Sequence, residues 1–254
     1  MNFYKYQGTG NDFIMIDDRN LQFPIENHHL IATLCHRRFG IGADGLILIQ
    51  NAEKYDFKMV YFNANGYEGS MCGNGGRCAV AFANYLDIFE EKTIFLACDG
   101  EHEAFIEGKN IHLKMKNVDN IEKNQNFYFL DTGSPHYVEW VNDLKNFDVL
   151  NVGKSIRYNE RFKEKGTNVN FVEQTDDKNL FVRTYERGVE DETYACGTGV
   201  TACAITAFLH KRISSPIHVK VLGGELAVSF EVNDNHFENI FLIGKAEKVF
   251  QGEI

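Results

Sequence analysis

Two stretches of this chain are apolar on nearly every side at helical spacing. Cys78-Ala79-Val80-Ala81-Phe82-Ala83 and Ala202-Cys203-Ala204-Ile205-Thr206-Ala207-Phe208 have this character, which predicts helices enclosed by other structure rather than lying on a surface. The helical pattern runs from Gly75 to Leu86 and from Gly199 to Leu209. Around both, short runs rich in β-branched and aromatic residues predict strands. These are Phe57–Phe62, Thr93–Cys98, Asn168–Glu173, Leu180–Tyr185 and Ile217–Leu222. His102–Glu107, Gly108-Lys109 and Asn110–Met115 predict a hairpin. Leu226–Val232, Asn233-Asp234-Asn235 and Ile240–Ile243 predict a second one. His28–Arg38 predicts a peripheral helix.

The elements recur in register. Cys72-Gly73-Asn74-Gly75 leads into the first enclosed helix and Cys196-Gly197-Thr198-Gly199 into the second. The turn glycines Gly100 and Gly224 each fall 28 positions after their cysteine (100 − 72 and 224 − 196). Upstream, Thr9-Gly10-Asn11-Asp12-Phe13 and Thr132-Gly133-Ser134-Pro135-His136 each open a strand; Gly10 precedes Cys72 by 62 positions and Gly133 precedes Cys196 by 63. A duplication accounts for all of these. The expected fold is α+β, with two pseudo-symmetric domains, each a curved, mainly antiparallel sheet wrapped around one central helix. Residues 1–116 form the first, with the C-terminal strand (about 245–254) a candidate to complete it, and 117–244 the second. Both cysteine loops are expected to face one cleft between the domains.

Composition adds mainly exclusions. The 254 residues are enough for two domains. A formal net charge of −10 without any basic run argues against nucleic-acid binding. The N-terminus lacks the apolar core of a signal peptide, and no stretch approaches membrane-spanning length. The expectation is a cytoplasmic protein that binds no membrane, with its six cysteines mostly reduced. No Cys/His set has structural-zinc spacing, so no metal is expected.

The candidate chemistry therefore lies in the cysteine loops. A thiol at a helix N-terminus meets outward-pointing N–H groups and the positive end of the macrodipole, which favour the thiolate. The bland alternative, a cysteine acting as a small buried hydrophobe, suits Cys35, Cys78, Cys98 and Cys203. It suits Cys72 and Cys196 poorly, because both repeats keep the same setting. Gly73, Gly75, Gly197 and Gly199 let backbone approach a ligand, and helix-start N–H groups bind carboxylates. Gly8–Phe13 superficially suggests a dinucleotide loop, but it joins two strands and lacks the lysine of a P-loop. Asn11 is a candidate ligand contact, or equally a turn former. Glu186 and Arg187 end a strand and point to opposite faces. They are either a solvated strand end or contacts to an ammonium and a carboxylate. His136 on its own would be an ordinary surface histidine.

Assembled, these residues resemble the diaminopimelate epimerase family of the pyridoxal-independent racemases over essentially the whole chain. The resemblance is carried by Gly8–Phe13, Gly40–Gly45, Phe62–Gly66, Met71–Cys78, Gly133–His136, Asn168–Phe171, Tyr185–Gly188 and Ala195–Gly199. Proline racemases share two Cys-Gly motifs, but typically carry His where Asn74 stands. The resemblance implies a homodimer that interconverts L,L- and meso-diaminopimelate without cofactor, with Cys72 and Cys196 as the catalytic thiols. It implies substrate contacts at Asn11, Asn63, Gly73, Asn74, Asn168, Glu186, Arg187, Gly197 and Thr198, and tuning of the thiols by His136 and Glu186. Two positions depart from the family pattern: Ser134, where many members have Asn, and Gly45, where some have Gln. One alternative is a racemase or isomerase of the same fold acting on proline or hydroxyproline. Another, from a different class, is a redox-sensing, ligand-binding protein with a regulatory Cys72–Cys196 disulfide.

Overall fold

The computed structural model describes residues 1–234 and 236–254, which fold as two compact units: Met1–Leu113 with Gly244–Ile254, and Lys114–Ile243. The first contains β1 (Asn2–Gly8), β2 (Asn11–Asp17), α1 (His28–Cys35), β3 (Gly45–Gln50), β4 (Phe57–Asn63), α2 (Gly73–Tyr85), β5 (Lys92–Ala97), β6 (Gly100–Glu107) and β7 (Asn110–Lys114). The second contains β8 (Ile121–Lys123), β9 (Phe127–Asp131), β10 (Pro135–Trp140), a 3-10 turn (Leu144–Asn146), α3 (Val149–Arg157), β11 (Asn168–Gln174) and β12 (Asn179–Glu186). It continues with β13 (Asp191–Thr193), α4 (Gly197–Lys211), β14 (Ile217–Val221), β15 (Gly224–Asn233) and β16 (His236–Gly244). The last strand, β17 (Glu247–Glu253), returns to the first unit and pairs antiparallel with β1.

The two units repeat one pairing scheme. In the first, β1/β2 are antiparallel, β2/β3 parallel, β3/β4 antiparallel, β4/β5 parallel, and β5/β6 and β6/β7 antiparallel. In the second, β9/β10 are antiparallel, β10/β11 parallel, β11/β12 antiparallel, β12/β14 parallel, and β14/β15 and β15/β16 antiparallel. Each parallel step needs a crossover, and a helix lies in every one. Register aligns the copies residue by residue. Phe13 opposes Gly45 in one, and His136 opposes Asn168 in the other. The turn glycines match as well: Gly10 and Gly133 have φ of 84° and 108°, Gly100 and Gly224 of 123° and 145°, a region suited to glycine.

The enclosed helices follow from the residue pattern. Val80, Phe82 and Ala83 of α2 are fully buried, as are Val200, Ala204, Ile205 and Ala207 of α4. Strand β3 is buried at every position, without alternation, because both faces of its sheet are covered. Ile47 lies beneath α2 near Gly75, while Leu46 and Leu48 pack with Ile31 and Leu34 of α1.

Three expectations need correction. Helix α1 ends at Cys35 rather than Arg38, because the following loop folds back and Ile41, Gly42 and Ala43 donate to the carbonyls of Leu34 and Cys35. In the second hairpin, β16 begins at His236, ahead of Ile240; of the turn expected at Asn233-Asp234-Asn235, Asn235 lies outside the described residues. Cys98 is exposed rather than buried, its thiol 3.5 Å from the carbonyl of Gly69.

Candidate active site

Cys72 is the N-cap of α2 and Cys196 the N-cap of α4, both with extended backbone (φ −116° and −120°). Neither side chain makes a hydrogen bond that caps its own helix, and the start of each helix is a place where backbone N–H groups can meet an anion. Cys196 is buried and Cys72 half-buried. The other thiols differ. Burial pushes Cys35 up to about 11, and pushes Cys78 and Cys203 well above the ordinary thiol range, leaving them protonated packing groups. No disulfide and no cluster of metal-ligating side chains occurs among the described residues.

Around Cys72 the loop before β2 and the start of α2 form one hydrogen-bonded chain. The Cys72 thiol donates to Asn11 Oδ1 at 3.6 Å, and Asn74 Nδ2 donates to the same oxygen at 3.4 Å. Asn11 Nδ2 donates to Asp44 Oδ2 at 2.6 Å. From the helix side, Arg77 Nη2 donates to Asn74 Oδ1 at 3.0 Å and to Thr9 Oγ1 at 2.7 Å. Arg77 is wholly buried; burial pulls its guanidinium down, while its interactions with Cys78 and Cys72 oppose that. Asp44 also takes Arg37 Nη2 at 2.7 Å, and Arg37 binds Asp12 at 2.7 Å. Burial opposes ionisation of Asp12, but hydrogen bonds from Arg37 and Lys5, with their charges, outweigh it and hold the carboxyl at about 2. Asn63 ends β4 opposite Gly45, with its side chain exposed.

The Cys196 side is built from the equivalent elements but different residues. Cys196 Sγ lies 3.5 Å from Thr198 Oγ1, and the Thr132 hydroxyl donates to the carbonyl of Thr198 at 2.8 Å. Beneath the start of α4, Asn170 Nδ2 donates to the carbonyl of Tyr137 at 2.9 Å and to His136 Nδ1 at 3.1 Å, and Asn170 Oδ1 accepts from Thr184 Oγ1 at 3.0 Å. These bonds leave the His136 proton on Nε2, which has no partner among the described residues. His136 is completely buried, not on the surface. Desolvation, reinforced by Arg187 and resisted by Asp131 and Asn170, pulls its pKa down to about 3, so it stays neutral.

The Glu186 carboxylate accepts from Thr193 Oγ1 at 2.9 Å, while Arg187 turns elsewhere. The Arg187 backbone N–H donates to Asn168 Oδ1 at 2.9 Å, and its guanidinium to the carbonyl of Lys165 at 3.0 Å and to Ser134 Oγ at 3.4 Å. Ser134 also accepts from Asn168 Nδ2 at 3.2 Å, so this hydroxyl binds Asn168 and Arg187 to one another.

Against known proteins, the family model for diaminopimelate epimerase matches residues 3–121 and 128–249. The chain is 55% identical to the diaminopimelate epimerase of Flavobacterium psychrophilum, with full coverage of both. It is 45% identical to that of Chlorobaculum tepidum, over 97% of this chain and 98% of the relative. The chain belongs to the diaminopimelate epimerase family. Its fold extends further: a Bacillus anthracis phenazine biosynthesis protein of the PhzF family superposes with a TM-score of 0.80 at 14% identity, covering 100% of this chain and 98% of the other. At that identity the likeness concerns the fold alone.

Within each unit, then, the structure of this diaminopimelate epimerase family member brings some of the residues singled out in the sequence to the cysteine loops, while Asn168 and Arg187 meet through Ser134 and Glu186 meets Thr193. Asn11, Gly73 and Asn74 surround Cys72, and Thr198 adjoins Cys196. Asp44, Arg77, Asn170 and Thr193 do not stand out as site residues in the sequence alone. Two carried a signal. Arg77 is a lone charge in an apolar helix, and Asn170 is a polar residue two positions from Asn168 on the same face of a buried strand.

Proposed function

We propose that this protein interconverts L,L- and meso-diaminopimelate by cofactor-independent two-base exchange, with Cys72 and Cys196 as the bases. The carrying observation is that each cysteine N-caps the enclosed helix of a unit repeating the same topology, in a chain of this family. Inverting an α-carbon requires a proton to leave one face and another to arrive on the opposite face. One cysteine, as thiolate, takes the α-proton and becomes a thiol. The other, as thiol, delivers its proton to the carbanion and becomes the thiolate. Charge and protons balance, and the reverse reaction exchanges the roles.

The carbanion is stabilised where its carboxylate meets the helix-start N–H groups of Gly73, Asn74, Gly197 and Thr198. Asn11, Asn63, Asn168, Glu186 and Arg187 supply the remaining contacts, with the distal amino-acid end gripped by Asn63, Asn168 and Arg187. His136 supports the Cys196 loop as a neutral group, and Glu186, held by Thr193, tunes the thiols. The protein works as a cytoplasmic homodimer.

The test is turnover of a substrate panel by reduced enzyme without added cofactor. Diaminopimelate should epimerise while proline, hydroxyproline and glutamate do not. Turnover of proline or hydroxyproline alone would move the protein to the neighbouring racemases. No turnover by folded, reduced protein would sink the reading.

A further inference from the structure

The hydrogen-bonded chain at Cys72 has a fixed direction. An Asn amide can present either end, so its orientation depends on what lies at each side. Here both outer groups are one-sided: Arg77 only donates, and the Asp44 carboxylate only accepts. Arg77 takes Asn74 Oδ1 at 3.0 Å, which turns Asn74 Nδ2 to Asn11 at 3.4 Å. Asp44 takes Asn11 Nδ2 at 2.6 Å. The Asn11 oxygen is therefore locked toward Cys72 Sγ at 3.6 Å. An acceptor held against a sulfur suits S–H and opposes S⁻.

In the second repeat the equivalent positions carry other residues. By strand register the counterpart of Asn11 is Ser134 and that of Asp44 is Thr167. Ser134 is engaged with Asn168 and Arg187, and Cys196 faces the Thr198 hydroxyl, which can donate as well as accept.

We propose that Asp44 is a positioning residue for Cys72: by holding the Asn11 amide it keeps Oδ1 on the sulfur, so that Cys72 rests as the thiol. This rests on the two-base reading for its consequence, but not for its measurement. Other charged and titratable groups of the same unit act on Cys72. Arg77 on α2 favours the thiolate and Cys78 opposes it. Beyond them, Asp12, Lys5 and Arg37 form the ion-pair cluster around Asp44. Arg77 and the helix start pull against Asn11, so removing the Asn11 constraint should release the thiolate.

The experiment is alkylation of the full-length protein by iodoacetamide across pH, resolved at Cys72 by mass spectrometry. Asp44→Asn offers Asn11 a partner that lets its amide turn. The Cys72 midpoint should fall by about one pH unit. In an Asn11→Leu background the same Asp44→Asn change should shift it by less than about a third of that. Equal shifts in both backgrounds would mean a through-space charge effect and overturn the proposal, as would no shift with Asn11 present. Arg37→Gln keeps the Asp44–Asn11 bond and guards against misfolding of the first variant; a lowered midpoint there would also overturn it. Absence of epimerisation by the reduced, unmutated protein, with the labelling pattern as expected, would refute the two-base reading and leave Asp44 in its role.

Discussion

Gly75 and Gly199 occupy the same place in the two repeats, three residues after each cysteine, yet their surroundings predict opposite tolerance of a methyl group. A Cβ on Gly199 would lie 2.3 Å from Asn170 Oδ1. Asn170 is fully buried and bonded at both ends of its amide, to Thr184, Tyr137 and His136. It cannot retreat without breaking two or more of these bonds, at about 1–3 kcal/mol for each buried group left unsatisfied. Replacing helical glycine by alanine returns at most about 1 kcal/mol, so with two groups unsatisfied at the middle of that range the net loss for Gly199→Ala is about 3 kcal/mol. A Cβ on Gly75 would instead meet the ends of Ile47 and Met59 at 3.2 and 3.4 Å, which can yield by a few tenths of an ångström. Gly75→Ala should stay within about 1 kcal/mol of the parent. For a chain of this size the difference corresponds to roughly 5–10 °C in Tm, read by calorimetry on the two variants side by side. Equal Tm changes would refute the claim that a polar layer under α4 replaces the apolar one under α2.

Three further outcomes are expected. His136 is depressed to about 3 in the fold, against about 6.5 unfolded. Its contribution is therefore full above pH 6.5 and lost as pH falls towards 3, by about 1 kcal/mol between pH 6.5 and 5.5. Urea denaturation should show this loss in the parent and a flatter curve in His136→Gln; parallel curves would contradict the burial argument. Cys72→Ala and Cys196→Ala should each reduce epimerisation at least about a thousand-fold with circular dichroism unchanged, and retained turnover in either rules out two bases. Gly153→Ala should destabilise the second unit by about 2 kcal/mol, because its Cβ would sit 2.5 Å from Tyr185 Cβ; an unchanged urea midpoint would count against that contact.

Much of this was legible in the residues. The enclosed helices announced themselves through their all-round apolar pattern, and the hairpin and turn glycines revealed the duplication. What was hidden depended on tertiary closure. Helix α3 has Gly153 at its centre and reads as a poor helix, but the glycine is what lets Tyr185 pack against it. Strand β3 lacks alternation because both faces are covered. His136 could not be read as buried without knowing that β10 places it under α4, beside Asn170. Cys98 follows an apolar run, so it read as core, yet it falls just past the end of β5 and is exposed. The candidate site was legible where a motif names it, at Cys72 and Cys196. It was not legible at Asp44, whose role comes from a hydrogen bond 33 positions distant in sequence.

The most direct test of the central claim is the fate of the α-hydrogen. Reduced enzyme given L,L-diaminopimelate in D2O, sampled at low conversion, should place deuterium at one α-carbon of the meso product and none in the remaining substrate. Deuterium entering the remaining substrate as fast as the product, or a meso product carrying only protium, would contradict exchange between a thiolate and a thiol on opposite faces.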